Sequence, residues 1–146
     1  MTILDANILV YAYKTGTPEH RTASLWLTKL LTSEEVVGLP WVTLWAFLRV
    51  CTNARLWDHP TPARDVCAVI RQWLEQPGVI VPEPGPRHIQ IIERMIVEYG
   101  ATGPLVSDAA LAALAIEHGA TLASTDQDFR RFPEVRWINP VAPQSA

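Results

Sequence analysis

Short apolar runs alternate with amphipathic stretches along this chain, and the alternation predicts the elements. Thr2-Ile3-Leu4 is an apolar run that ends at Asp5 and reads as a strand. Residues 7–13 are apolar on nearly every side, the pattern of a buried helix. Thr15-Gly16-Thr17-Pro18-Glu19 is loop chemistry, and over 20–31 Ala23, Trp26, Leu27, Leu30 and Leu31 recur at helical spacing. Residues 36–39 predict a second strand, closed by Pro40, and a helix follows from about Trp41 to about Asn53. Thr61 as N-cap and Pro62 as first helical residue open a helix to about Glu75. Residues 79–81 predict a strand. A helix from Pro86 carries Ile89, Ile92 and Ile96 and stops at Gly100. A small-residue helix runs from about Ser107 to His118 before Gly119. A strand over 121–124, a short turn or helix over 126–132 and a last strand over 135–138 complete the pattern.

Strands of a few residues alternating with helices predict an α/β fold with a short, mainly parallel sheet flanked by helices. Neither a linker nor a repeat divides the 146 residues, so one domain over 1–140 is expected, with a flexible Pro-containing tail at 141–146. A chain 49% hydrophobic and 18% charged has the composition of a packed globule, which excludes global disorder. No apolar run reaches the ~18 residues of a membrane span. The first residues lack the basic start and cleavage site of a signal peptide, so a cytoplasmic location is expected. Cys51 and Cys67 sit in apolar helical patterns and read as buried thiols. With 12 basic and 15 acidic residues the formal charge is −3, which excludes a generic basic coat for nucleic acid.

The aspartates narrow the chemistry. There are six, Asp5, Asp58, Asp65, Asp108, Asp126 and Asp128, and three occupy a recurring position. Asp5 ends the first strand, Asp108 opens a helix, and Asp126 follows the strand over 121–124. Ligands bind open parallel sheets outside the carboxyl ends of the strands. Each residue taken alone has a plainer reading. Asp108 suits a helix dipole, Asp126 an Asx turn and Asp5 a helix cap. Together they would repel, by ~4 kcal/mol for a pair ~4 Å apart at an effective dielectric of 20. Convergence therefore calls for a cation. Oxygen ligands without His or Cys favour Mg²⁺ or Mn²⁺, which bind phosphate oxygens and activate water, and phosphodiester hydrolysis is the natural use.

Three stretches carry a family resemblance: Leu4-Asp5-Ala6-Asn7-Ile8-Leu9-Val10-Tyr11, Ser107-Asp108-Ala109-Ala110-Leu111-Ala112-Ala113-Leu114-Ala115, and Ser124-Thr125-Asp126-Gln127-Asp128-Phe129. In this order they resemble the PIN domain. The middle segment from Gly38 to Val50 and the close from Phe132-Pro133 to Pro140 are similar to VapC toxins of bacterial toxin–antitoxin modules, in a mycobacterial-type branch. The resemblance implies a three-layer PIN-like fold and a Mg²⁺- or Mn²⁺-dependent endoribonuclease. It also implies a VapB-type antitoxin partner, an RNA substrate and a homodimer. Residue for residue, it makes Asp5, Asp108 and Asp126 the metal-binding carboxylates. Asp128 becomes an additional catalytic acid, with Asn7 and Thr125 as polar supports. Ala46 stands where such domains commonly carry glutamate. That departure puts a two-metal site in doubt and opens an alternative, a weakened PIN domain that binds RNA or antitoxin without cutting. A haloacid-dehalogenase-type phosphatase would want an aspartate at Asn7 and a downstream lysine, and no lysine follows Lys29.

The other polar candidates are fewer. His20 is a candidate RNA contact at the cleft rim, whereas a helix C-terminus already accounts for His118. Ten arginines against two lysines place Arg49 on the helix of Ala46, and Arg130 and Arg131 beyond Asp128. They are either solvated surface or a short phosphate-binding rim. Among six tryptophans, Trp26, Trp45 and Trp73 are expected in core or dimer interface, and Trp41 and Trp57 partly exposed.

Overall fold

A computed structural model describes residues 1–143. Five strands form one sheet: β1 (Thr2–Leu4), β2 (Val37–Gly38), β3 (Val79–Ile80), β4 (Thr121–Ala123) and β5 (Arg136–Ile138). Six helices join them: α1 (Ala6–Tyr13), α2 (His20–Leu31), α3 (Trp41–Cys51), α4 (Ala63–Leu74), α5 (His88–Tyr99) and α6 (Val106–Glu117). The strand order is β3-β2-β1-β4-β5 and every pairing is parallel. The sheet is wound outward from β1 in one direction through β2 and β3, and in the other through β4 and β5. The winding reverses between β1 and β4, and a doubly wound sheet opens its ligand crevice at such a point.

Successive side chains of a strand face opposite ways, and each strand feeds two cores. Ile3 and Leu122 point into a cluster with Ile91 and Met95 of α5, the alanines of α6, Phe129 and Phe132. Leu4 and Ala123 point into the other, with Ile8, Leu9, Leu27, Leu44, Phe47, Val66 and Ile70 from α1 to α4. Helices therefore cover both faces in three layers. Ala109, Ala112, Ala113 and Ala115 are fully buried, and these small side chains let α6 lie close against its neighbours.

Several boundaries differ from the pattern for identifiable reasons. Thr61 does not cap α4. Its amide donates to the Cys51 carbonyl and its hydroxyl accepts from Lys14 Nζ, so it is tied to the end of α3, while Pro62 takes the cap position. α5 is rotated from the expected face: Ile91 and Met95 are buried, and Ile89 is 67% exposed. α6 starts at Val106 after a 3-10 turn, Gly103–Leu105, so Asp108 lies in its first turn. Trp45 is not core but 65% exposed, stacked on Trp41 at 6.4 Å. Cys51 is buried, Cys67 only half-buried, and both are free. No helix of the described residues is long and apolar enough to cross a membrane. Val141 donates to Asn139 Oδ1, and the end of the expected tail, 144–146, lies outside the described residues.

Candidate metal centre

The carboxyl ends of β1 and β4 are neighbours because Leu4 pairs with Ala123, and the Asp5 amide continues the ladder to the Ala123 carbonyl at 2.9 Å. Asp5 and Ser124 therefore face each other as both strands end. Asp5 caps α1, its Oδ1 accepting from the Ala6 amide at 2.7 Å. Its Oδ2 accepts from Ser124 Oγ at 2.6 Å and from Asn7 Nδ2 at 3.0 Å. Ser124 is completely buried. Besides donating to Asp5, its hydroxyl accepts from Asn7 Nδ2 at 3.1 Å and from the Asp126 amide at 3.0 Å. Asn7 completes the network, its Oδ1 accepting from the Thr125 amide at 3.1 Å. The β1–α1 and β4 turns are thus held together by one serine and one asparagine.

That network aims the acids. Asp126 caps the 3-10 turn Gln127–Arg131, its Oδ1 accepting from the Asp128 amide at 2.8 Å, and this folds the second acid back beside the first. Asp108 comes across from the first turn of α6. One carboxylate oxygen each from Asp108, Asp126 and Asp128 lie within 4.8 Å of one another. Asp5, Asn7, Asp108 and Asp126 line a cleft of about 290 Å³, together with Thr43, Ala46, Arg49 and Val50 of α3. Thr43 is itself fixed, its hydroxyl donating to the Leu4 carbonyl at 2.8 Å.

Crowding shows in the acidities. Burial pushes the Asp108 carboxyl up to about 6, and the charges of Asp126, Asp5 and Asp128 push the same way against Arg131. Asp5 is also raised, chiefly by burial, although its bonds from Ser124 and Ala6 oppose the rise. Such a set of carboxylates is short of positive charge. Its donors are all oxygen, and their spacing suits one hard divalent cation.

Residues 2–135 match the PIN domain family. The chain belongs to the PIN-domain family. Ribonuclease VapC37 of Mycobacterium tuberculosis is 41% identical to it over 97% of this chain and 99% of its own length. Ribonuclease VapC33 of the same organism is 39% identical over 97% and 99%. Among solved structures, VapBC2 from Rickettsia felis, bound to a DNA fragment from its promoter, matches with a TM-score of 0.67. That likeness carries 17% identity, covers 94% of this chain and 97% of the other, and concerns the fold.

In this PIN domain the residues picked out in the sequence fall into two groups. Asp5, Asn7, Asp108, Asp126 and Arg49 share the cleft, and Asp128 closes on Asp108 and Asp126. Thr125 joins through its backbone amide. Arg131 stands near enough to moderate Asp108, with its guanidinium 3.4 Å from the Tyr99 carbonyl, and Arg130 lies over the Trp137 ring at 5.5 Å. His20 is turned elsewhere, its Nδ1 2.9 Å from the Tyr11 carbonyl, outside the cleft lining. His118 reaches the Glu83 carbonyl. Ala46 does line the cleft, so α3 supplies no carboxylate there. Ser124, at the centre of the network, escaped the sequence reading. Its signal was a lone small polar residue ending an apolar strand two positions before an aspartate.

Proposed function

We propose that this chain is a divalent-metal-dependent endoribonuclease, the toxin of a toxin–antitoxin pair, with residues 1–140 forming its single PIN domain. The observation that carries the reading is the convergence of Asp108, Asp126 and Asp128 within 4.8 Å beside Asp5, at the point where the sheet's winding reverses. The ribonuclease names of the VapC relatives support RNA as the substrate. A VapB-type antitoxin as partner is supported by the VapBC2 fold neighbour, and homodimerisation by the family resemblance. A cytoplasmic location fits this role.

Asp108, Asp126 and Asp128 would hold Mg²⁺ or Mn²⁺, with Asp5 completing the site from the strand end. When bound, the ion offsets phosphate charge and makes water a stronger nucleophile. The chain's own residues do the rest. Ser124 and Asn7 keep the Asp5 carboxylate turned to a fixed position and hold the Asp126 and Thr125 amides behind it. Arg49, on the α3 wall, is placed to bind a phosphate of RNA lying in the cleft, and Arg131, near enough to act on Asp108, adds positive charge beside it, whereas Arg130 lies over Trp137 outside the lining. His20 would meet RNA only outside the cleft. Ala46 brings no ligand to the site, and the carboxylates that remain suit a one-ion site. The intact aspartate cluster favours cutting over the binding-only alternative.

Incubation with structured RNA and Mn²⁺ tests this. Cleavage should appear with the metal, stop with chelator, and be lost in Asp5→Ala and in Asp108→Asn. Equal cleavage by both variants would overturn the assignment.

A further inference from the structure

On the side of the molecule reached by the far ends of α1 and α3 lies a second hollow, of about 560 Å³, built round Lys14. Its walls come from the end of α1 and the turn after it, Tyr13 to Gly16, and from the segment after α3 that includes Trp57, Asp58, His59 and Thr61. The hollow is rigidly made. Lys14 closes α1, its amide donating to the Val10 carbonyl at 2.8 Å. Trp57 Nε1 donates to the Val50 carbonyl at 2.8 Å, and the Thr61 amide to that of Cys51 at 3.0 Å. The Lys14 ammonium sits 4.4 Å from the centre of the Trp57 ring and donates to Thr61 Oγ1 at 3.2 Å. An ammonium has three N–H donors, and Thr61 takes one. Among the described residues no carboxylate pairs with Lys14 within 4.0 Å.

We infer that this hollow is a second RNA subsite, in which Lys14 binds a backbone phosphate and the Trp57–His59 wall receives the adjoining base; the inference rests on the ribonuclease reading of the acidic cleft. The two hollows are joined through one residue. Val50 lines the cleft, and its carbonyl holds the Trp57 indole. The eight residues of α1 separate Asp5 from Lys14, about 14 Å at the helical rise, a span that single-stranded RNA covers in a few nucleotides. Arg49 lines the cleft beside Val50. Lys14 covers the exposed face of the Trp57 indole, so the exposed His59 imidazole is the ring left to stack on a base of any sequence, with the ammonium beside it supplying the charge. Lys14 is the one lysine or arginine among the lining residues, so the hollow offers a single phosphate contact in place of a basic groove.

Binding of a fluorescently labelled single-stranded RNA, long enough to reach both hollows, is measured by anisotropy over a salt series, with Ca²⁺ in place of Mn²⁺ so that the acidic cleft carries a cation. Lys14→Gln should weaken binding about three- to tenfold and lower the slope of log K against log salt by ~0.7, the value for one phosphate contact on a single strand. Lys14→Arg should restore the slope. Wild-type affinity and slope in Lys14→Gln would overturn the subsite while leaving the cleft's role intact. Weakened binding of a protein partner with unchanged RNA binding would assign the hollow to that partner and overturn it too. A wild-type protein that neither binds nor cleaves RNA would instead remove the reading on which the subsite rests.

Discussion

Ser124 has one hydroxyl proton and two lone pairs, and all three are committed: to Asp5, to Asn7 and to the Asp126 amide. Its removal leaves a buried carboxylate short of a donor and two donors short of an acceptor. Ser124→Ala should cost about 1–3 kcal/mol of stability. Because partners that orient metal ligands matter nearly as much as the ligands themselves, Mn²⁺ affinity should fall about 10- to 100-fold by calorimetry. Asp108 poses a different problem at the same scale. Its carboxyl, pushed up to about 6 mainly by burial, holds its proton better in the folded metal-free protein than in the unfolded chain. The stability this supplies is full below the unfolded value near 4 and disappears as pH rises through about 6. Urea unfolding in chelator should show the difference between wild type and Asp108→Asn changing by about 1 kcal/mol across that window, the group's partial exposure having reduced the effect. The variant gains at neutral pH. Mn²⁺ must displace the same proton, so wild-type affinity for it should decline as pH falls below about 6.

At the scale of elements, close approach decides what each strand can carry. A β-carbon at Gly38 would lie 2.8 Å from Ile3 Cγ1 and 3.2 Å from the Pro82 ring, so β2 has room for hydrogen alone beside β1. Gly38→Ala should cost about 1–3 kcal/mol by chemical denaturation, because Ile3 is fully buried and has nowhere to move. Such a contact cannot be read from spacing, whereas the element order could. Asp5 at a strand end, the alanine run of α6 and the serine–aspartate turn after β4 are local patterns, and each sits where its pattern put it. The rotation of α5 is different. Ile89, Ile92 and Ile96 form one apolar stripe and Ile91 with Met95 another, and only packing on α6 chooses between them. Trp45, expected in core or dimer interface, lies outside the core for a related reason, since helical spacing identifies an apolar face without saying what covers it. The site divides along the same line. Its carboxylates were legible because charges are scarce in this chain. Ser124 was not, because its importance arises only where β4 lies beside β1.

The charge of the whole molecule takes its meaning from where the acids lie. A formal −3 over 146 residues is modest, yet Asp5, Asp108, Asp126 and Asp128 are gathered at one crevice, where they repel one another and RNA alike. A divalent cation relieves both at once, turning a locally anionic cleft into one that accepts phosphate. The fold therefore carries a strain that metal binding releases, and the release must appear in global stability whether or not any RNA is cut. Mn²⁺ at about 100 times its dissociation constant should stabilise the folded chain by ~2.7 kcal/mol, and the melting temperature should rise by about 8 °C. Sodium chloride at matched ionic strength should reproduce little of this rise, because screening acts weakly on charges inside a cleft. Asp126→Asn should melt higher than wild type in chelator, having one charge fewer to repel, and gain much less from Mn²⁺. Ala46→Glu should do the reverse, adding a charge to the same wall: a lower melting temperature without metal, and a larger rise with it. Equal metal-induced shifts in wild type and Asp126→Asn would place the ion elsewhere on the molecule.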